Sequence, residues 1–234
     1  MAALITQIDK DGNIVYQYSP PLGSFTLSTL SDICFNGREF CIVGGRSTTG
    51  ALSLYRLSNG SAFLPSPTIL TTSLRKEIGI DYMGGGLYCA CNITTTNPEA
   101  WAMRFLRFRD GASAFTTNSF DVTGDKPNAG ICFDGQHIIL YSTGLVTWSF
   151  RKPTNPSVKV FGFAHPGVGV ARGVCHLDRH LYIIDYDSVG KDNLLYQVTM
   201  SGHAVKSISL NKISGNDIIR GVCTDGRHMY ILSI

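Results

Sequence analysis

The stretch GVCTDGRHMYILSI, residues 221–234, decides how this chain is read. It is a short apolar strand, an Asp225-Gly226 pair and a second apolar strand. Asp-Gly between apolar runs is a strong hairpin signal, because the tight turn needs positive φ, which glycine adopts without steric cost. Working outward, four more segments have the same form: DICFNGREFCIVGG from Asp32, GIDYMGGGLYCACN from Gly79, GICFDGQHIILYST from Gly130 and GVCHLDRHLYIIDY from Gly173. One column of this alignment holds Cys34, Asp81, Cys132, Cys175 and Cys223, at spacings of 47, 51, 43 and 48 residues. Apolar hairpins recurring every roughly 40–50 residues have the period of four-stranded propeller blades.

A second hairpin follows each of the first four. These begin at Leu52 (LSLYRLSNGSAFLPSP), Ala102 (AMRFLRFRDGASAFTTNSF), Leu145 (LVTWSFRKPTNPSVKVFGF) and Leu194 (LLYQVTMSGHAVKSISL). The fifth inner hairpin reaches Ile234 with no outer pair behind it, and LITQIDKDGNIVYQYS from Leu4, with its Asp11-Gly12 turn, supplies one. Counted through the two ends, Cys223 and Cys34 are 45 residues apart, one more period. A linear solenoid has no reason to divide a repeat between its ends. The inner strands HLYIIDY from His180 and HMYILSI from His228 are apolar on both faces, as strands packed between two neighbouring sheets must be. The expected fold is therefore all-β, a five-bladed β-propeller of four-stranded antiparallel blades whose last blade is closed by the N-terminal hairpin. It forms a single domain over residues 1–234, with blades at approximately 27–70, 75–121, 126–163, 168–211, and 216–234 plus 4–19.

The repeated G-[IV]-C-x-D-G-x-x-x-Y-I pattern resembles the degenerate blade motif of bacterial and phage-type β-propellers, in which x-D-G-x-x-x-Y-V marks the inner hairpin. The resemblance spans essentially the whole chain and implies the fold. The Gly-His and Trp-Asp signatures of tryptophan-aspartate repeats do not occur, nor do the Trp-rich repeats of the five-bladed horseshoe-crab lectin. No family's binding residues carry over to positions of this sequence.

Composition narrows the function classes. The charged fraction is 16%, below the roughly 25% of average soluble domains, and Ser, Thr, Asn and Gly fill the polar share. A net charge of +3 is too slight to argue for nucleic acid or an anionic membrane as partner. No apolar run of about 18 residues is present, so membrane insertion is not expected. The start MAALITQIDKDGNIVYQYS lacks a basic, then apolar, leader, which points to synthesis in a cytoplasm without a signal peptide. Seven cysteines cannot all pair, and Cys89 and Cys91 lack the two-residue spacing of a zinc knuckle. Neither a metal nor a cofactor is expected.

Candidate site residues come from departures in the repeat. Cys34, Cys132, Cys175 and Cys223 either pack as small apolar groups or turn their sulfurs into the channel, and burial is the ordinary fate of free cysteine. Asp81 breaks that column, as a carboxylate near the axis or as a residue bonding to nearby backbone N–H groups. Arg172 and Arg220 precede the Gly-Val-Cys of two blades and so lie close to the channel mouth. Two cations there suit an anion, a glycan carboxylate or an acidic partner loop, or else pair with Asp217 or Asp32. Asn92–Ala100 (NITTTNPEA) reads as a loop insert, with Trp101 at its border as the freest aromatic and Asn92 opening it. Trp148 and Tyr196 align with Tyr55 as packing residues. Gly84-Gly85-Gly86 falls at a hairpin turn and opens no helix, which removes the phosphate-cradle reading.

These features favour a non-enzymatic structural or interaction module with no catalytic residues. Its composition leans towards a viral or phage virion component, such as a decoration, tail or fibre-associated propeller, that binds a protein partner through one loop face. That face would gather the connections at Gly45–Ala51, Asn92–Ala100, Ser142–Gly144 and Asp185–Asn193. The alternatives are a lectin-like glycan- or receptor-binding propeller, and a glycosidase-like enzyme with two carboxylates facing one another in an axial pocket.

Overall fold

The structure is a computed structural model. It describes residues 3–20, 30–45, 52–58, 62–63, 68–71, 78–97, 100–109, 116–121, 127–142, 147–167, 169–187, 192–214 and 218–234, with only the backbone in the stretches 52–78 and 90–129. The chain opens with β1 (Leu4–Ile8) and β2 (Ile14–Tyr18). Next come β3 (Leu30–Phe35), β4 (Glu39–Gly45), β5 (Leu52–Ser58), β6 (Ala62–Phe63) and β7 (Thr68–Thr71). They are followed by β8 (Ile78–Gly84), β9 (Leu87–Asn97), β10 (Ala100–Arg109) and β11 (Thr116–Asp121), then β12 (Pro127–Phe133), β13 (Ile138–Ser142), β14 (Thr147–Lys152) and β15 (Asn155–Ala164). The last stretch holds β16 (Val170–Leu177), β17 (His180–Asp187), β18 (Asp192–Thr199), β19 (Ala204–Ser209), the one-turn helix α1 (Asn211–Ser214), β20 (Ile219–Thr224) and β21 (Met229–Ser233).

Among the described residues these strands form five antiparallel sheets. The first is β3-β4-β5-β6, with β7 also paired to β5; the second, third and fourth are β8 to β11, β12 to β15 and β16 to β19; the fifth is β20-β21-β1-β2. The first strands of the sheets lie against one another in the order β3, β8, β12, β16, β20 and back to β3. Successive sheets pack face to face. Tyr141, Trp148 and Phe150 of the third meet Val174, Leu181 and Ile183 of the fourth, and Tyr182, Ile184 and Leu195 of the fourth meet Met229 and Ile231 of the fifth. Ile183 and Ile184 are neighbours in sequence and both fully buried, because alternate side chains of β17 serve opposite seams. This is the arrangement of a β-propeller. Among the described residues no helix is long and apolar enough to cross a membrane.

Local chemistry explains the inner hairpins. In three of them an Asn or Asp before glycine folds its side chain over the turn. Asn36 Oδ1 accepts the N–H groups of Arg38 and Glu39, Asp134 Oδ1 those of Gln136 and His137, and Asp225 Oδ1 those of Arg227 and His228. The fourth sheet turns without glycine, through Asp178 and Arg179 at φ of 50° and 63°.

A glycine column sets how close the sheets come. Gly79, Gly130, Gly173 and Gly221 occupy the place that Asp32 takes in the first sheet. A Cβ on Gly79 would lie 2.8 Å from Ile131 Cγ2 and 2.9 Å from its backbone nitrogen, and one on Gly173 would lie 3.0 Å from Val222 N. At these two seams a side chain would push the first strands apart.

The fifth sheet is assembled from both parts of the chain. β1 pairs with β21 from Leu4↔Ser233 to Ile8↔Met229, burying Ile5 and Ile8 completely. Ion pairs tie the β1–β2 turn to the fourth sheet, Lys10 with Asp178 and Lys206 Nζ with Asp11 Oδ1 at 2.8 Å. All four side chains are well exposed, so these pairs contribute little beside the buried isoleucines.

One expectation is corrected. Asn92–Ala100 is not a loop: β9 runs on to Asn97, β10 starts at Ala100, and Ile93 and Thr95 pair with Met103 and Trp101. Its Ile-Thr-Thr-Thr run is β-branched and prefers an extended backbone, and the turn signal is confined to Asn97-Pro98.

Deleting residues 1–20 is expected to abolish the cooperative thermal transition and give soluble aggregates, because it bares the edge of β21 and the apolar seam around Leu232. Circular dichroism and size-exclusion chromatography check this, and an unchanged melting curve would refute the closing role of β1.

Candidate functional site

The axis of the ring is lined by main chain. The turn residues Asn36, Asp134 and Asp225 donate their N–H to the carbonyls of Glu39, His137 and His228. Antiparallel pairs alternate, so two residues back Cys34, Cys132 and Cys223 are also hydrogen-bonded to their second strands. The residues between them, such as Ile33, Phe35, Ile131 and Phe133, direct N–H and C=O away from their own sheet.

Two carboxylates receive those inward amides. Asp32 Oδ1 accepts the N–H of Ile33 at 2.9 Å and Oδ2 that of Ile80, in the second sheet, at 3.0 Å. Asp81 repeats this one seam further on: Oδ1 accepts from Tyr82 at 2.8 Å and Oδ2 from Phe133, in the third sheet, at 2.7 Å. Each aspartate therefore joins its own first strand to the next. Asp32 also abuts the fifth sheet, where a Cβ on Gly221 would run into its Oδ1. Burial lifts both carboxyls, Asp32 well above the usual carboxylate range and Asp81 to about 7, while the amide hydrogen bonds pull the other way. Cys34, Cys132, Cys175 and Cys223 are free and buried, and burial pushes all four thiols up, which suits packing and opposes nucleophilic chemistry.

A second polar cluster pins the third sheet to the fourth. Trp148 Nε1–H donates to His165 Nδ1 at 3.1 Å, and His165 Nε2 meets Asp185 Oδ1 at 2.9 Å. An indole nitrogen only donates, so His165 Nδ1 accepts and its proton sits on Nε2, aimed at Asp185. Gly169 N–H donates to the other Asp185 oxygen at 3.2 Å. The side chains of His165 and Asp185 are fully buried, and the ring of Tyr141 covers both Trp148 and His165 with centroids 5.0 and 5.1 Å away. The sequence reading missed His165 and Asp185. A lone aspartate inside the apolar run YIIDY was the available signal, since a buried carboxylate requires partners.

Arg172 and Arg220 stand at equivalent places on adjacent first strands. Each sits at a β-bulge, between Ala171 and Gly173 and between Ile219 and Gly221. Both are half-buried, and the Arg172 guanidinium lies 5.4 Å from the centroid of the Tyr186 ring, at the end of β17. Asn92 and Trp101 lie on β9 and β10, Asn92 paired with both Ile78 and Arg104 and Trp101 with Thr95. Their side chains lie outside the described residues, as do Asp217 and most of the loop face, including residues 46–51, 143–146 and 188–191. Among the described residues no three His, Cys, Asp or Glu side chains come together in a way that could hold a metal ion.

No protein-family model matches the chain, and no curated protein matches it. Solved structures similar to it include glutaminyl cyclase from Myxococcus xanthus (TM-score 0.54, 12% identity, 88% of this chain and 91% of that one). A chain of the nidogen/laminin complex matches with TM-score 0.54 at 10% identity, over 97% and 95% of the two chains. The exo-β-1,3-galactanase of Phanerochaete chrysosporium matches with TM-score 0.56 at 9% identity, over 99% of this chain and 64% of that one. At these identities the likeness shows the fold alone, an all-β propeller architecture.

The raised carboxyl of Asp81 gives a pH dependence of defined sign. Folded, it keeps its proton up to about pH 7; unfolded, it loses it near 3.8, so its contribution is complete below about pH 4 and lost as pH rises through 7. His176, whose pKa burial holds below its ordinary value, has the opposite sign, so the readout is the difference between wild type and Asp81→Asn. Urea midpoints at pH 5 and pH 8 should show a fall in wild type that is smaller in the variant, and equal falls would remove Asp81 as the cause. Separately, Asp185→Ala strands the buried Nε2–H of His165 and the part-buried N–H of Gly169. It is expected to destabilise the fold by about 1–3 kcal/mol in urea titration, as a buried donor left unbonded does.

Proposed function

We propose that the chain is a closed five-bladed β-propeller acting as a non-enzymatic interaction module, which docks a protein partner on the face where Arg172 and Arg220 stand. Each of the five sheets supplies one blade, and the cyclic contact of β3, β8, β12, β16 and β20 supports that count. The observation that carries the functional reading is the state of the axial carboxylates. In Asp32 and Asp81 one oxygen accepts a backbone N–H of its own first strand and the other that of the next sheet, so these acids serve the ring. Arg172, half-buried over Tyr186, is a preordered cation at the rim, the kind of aromatic-backed arginine that anchors interfaces. An acidic partner loop fits it best. A virion component remains the proposed setting, on the low charge and the Ser-, Thr-, Asn- and Gly-rich composition alone.

The test is affinity capture from the native source with wild type and with Arg172→Ala/Arg220→Ala. A protein recovered at fixed stoichiometry, with affinity at least about tenfold weaker for the double variant, supports the reading, since buried interface arginines contribute on that scale. A partner held equally by both overturns the arginine face. Binding to a glycan array with no protein partner would favour the lectin alternative instead.

A further inference from the structure

We infer that Cys34 and Cys41 form an oxidisable dithiol, which hydrogen peroxide closes to a disulfide within the first inner hairpin. This inference is independent of the partner proposed above. The two cysteines stand directly opposite one another on β3 and β4, and their side chains are hydrogen-bonded. They belong to the hydrogen-bonded register, counted two residues back from the Asn36–Glu39 bond at the turn. Opposed α-carbons in that register are about 5.5 Å apart, a separation typical of disulfides. Among the described residues the first sheet alone has this arrangement. Across from Cys132, Cys175 and Cys223 stand Ile139, Tyr182 and Tyr230. Cys89 stands across from Asp81 and donates its S–H to the Asp81 backbone carbonyl.

The surroundings of Cys41 suit it to react first. Asn36 Nδ2 donates to the Tyr88 hydroxyl oxygen at 2.8 Å, so the phenol's own hydrogen is aimed at Cys41 Sγ, 3.5 Å away. The same Asn36 amide is a second donor to that sulfur, at 3.8 Å. Donors on a sulfur favour the thiolate, which is the reactive form, where burial by itself opposes it. Both sulfurs are buried, which selects a small neutral oxidant over a bulky disulfide. Asn36 is only half-buried and opens the turn whose tip, Gly37 and Arg38, is exposed, and this side gives peroxide its approach. Two steps complete the reaction. Cys41 sulfur takes one peroxide oxygen, the O–O bond breaks, and water leaves with the thiol proton. Cys34 sulfur, already in contact, then attacks the Cys41 sulfenic acid, the S–O bond breaks, and a second water carries off the Cys34 proton. The two thiols lose two electrons, and one peroxide is reduced to two waters.

Peroxide treatment of the folded full chain, followed by alkylation and mass spectrometry, tests this without any variant. Trypsin cuts after Arg38, between the two cysteines, so the disulfide joins residues 11–38 to residues 39–46, and a reductant should separate them. Cys34→Ser should leave Cys41 as a sulfenic acid that dimedone captures, and Cys34→Ala serves the same purpose should the serine variant fail to fold. Tyr88→Phe should slow the reaction about threefold, the net of roughly tenfold less thiolate and a more nucleophilic sulfur. Failure to recover the joined peptides from the folded chain overturns the inference. So does a rate that follows global unfolding across a urea series, or oxidation of Cys132, Cys175 and Cys223 at the same rate. An unchanged rate in a folded Tyr88→Phe removes Cys41 as the sulfur that reacts first.

Discussion

Where neighbouring first strands meet at Gly79 and Gly173, backbone lies against backbone with no room for a Cβ, and much of the molecule is a response to that contact. Strands brought so close must run side by side around a centre, each turning one edge inward. The inward amides have no partner in their own sheet, and a buried amide left unbonded destabilises the fold by about 1–3 kcal/mol. Asp32 and Asp81 answer four of them. The carboxyl groups at the centre are thus a consequence of the tight ring, and so is their raised proton affinity.

Moving outward, the requirement changes from closeness to coverage. Second and third strands have a sheet on either side, which is why Tyr182, Ile183 and Ile184 are all buried in one run. Fourth strands have one covered face, and β2, β15 and β19 expose valine, isoleucine, tyrosine and phenylalanine. Between the third and fourth sheets the polar groups match one another: Trp148, His165 and Asp185 form one chain of donors and acceptors.

What could be read in advance was local. The Asn-Gly and Asp-Gly turns act within a few residues, so Asn36, Asp134 and Asp225 declared the hairpins, and the column holding the cysteines, recurring every 43 to 51 residues, declared the repeat. Trp148 aligned with packing residues and is fully buried. What escaped depended on partners far along the chain. Asp81 bonds to the amide of Phe133, a backbone group that no side-chain pattern reveals. His165 acquires meaning only beside Trp148 and Asp185, on two different sheets. Asn92–Ala100 was misread because polarity was taken for irregularity, whereas threonine suits an exposed strand as well as a loop.

A ring of similar repeats faces a problem of address: any sheet could dock on the wrong neighbour and still bury its apolar faces. The seams described above are not interchangeable. Asp32 reaches Ile80 and Asn36 reaches the Tyr88 hydroxyl between the first and second sheets, Asp81 reaches Phe133 between the second and third, and the tryptophan–histidine–aspartate chain joins the third and fourth. A sheet inserted out of turn would leave one of these buried groups without its complement. Polar seams of this kind label three of the five junctions, so part of the order of the sheets is written in mismatches that the native arrangement avoids.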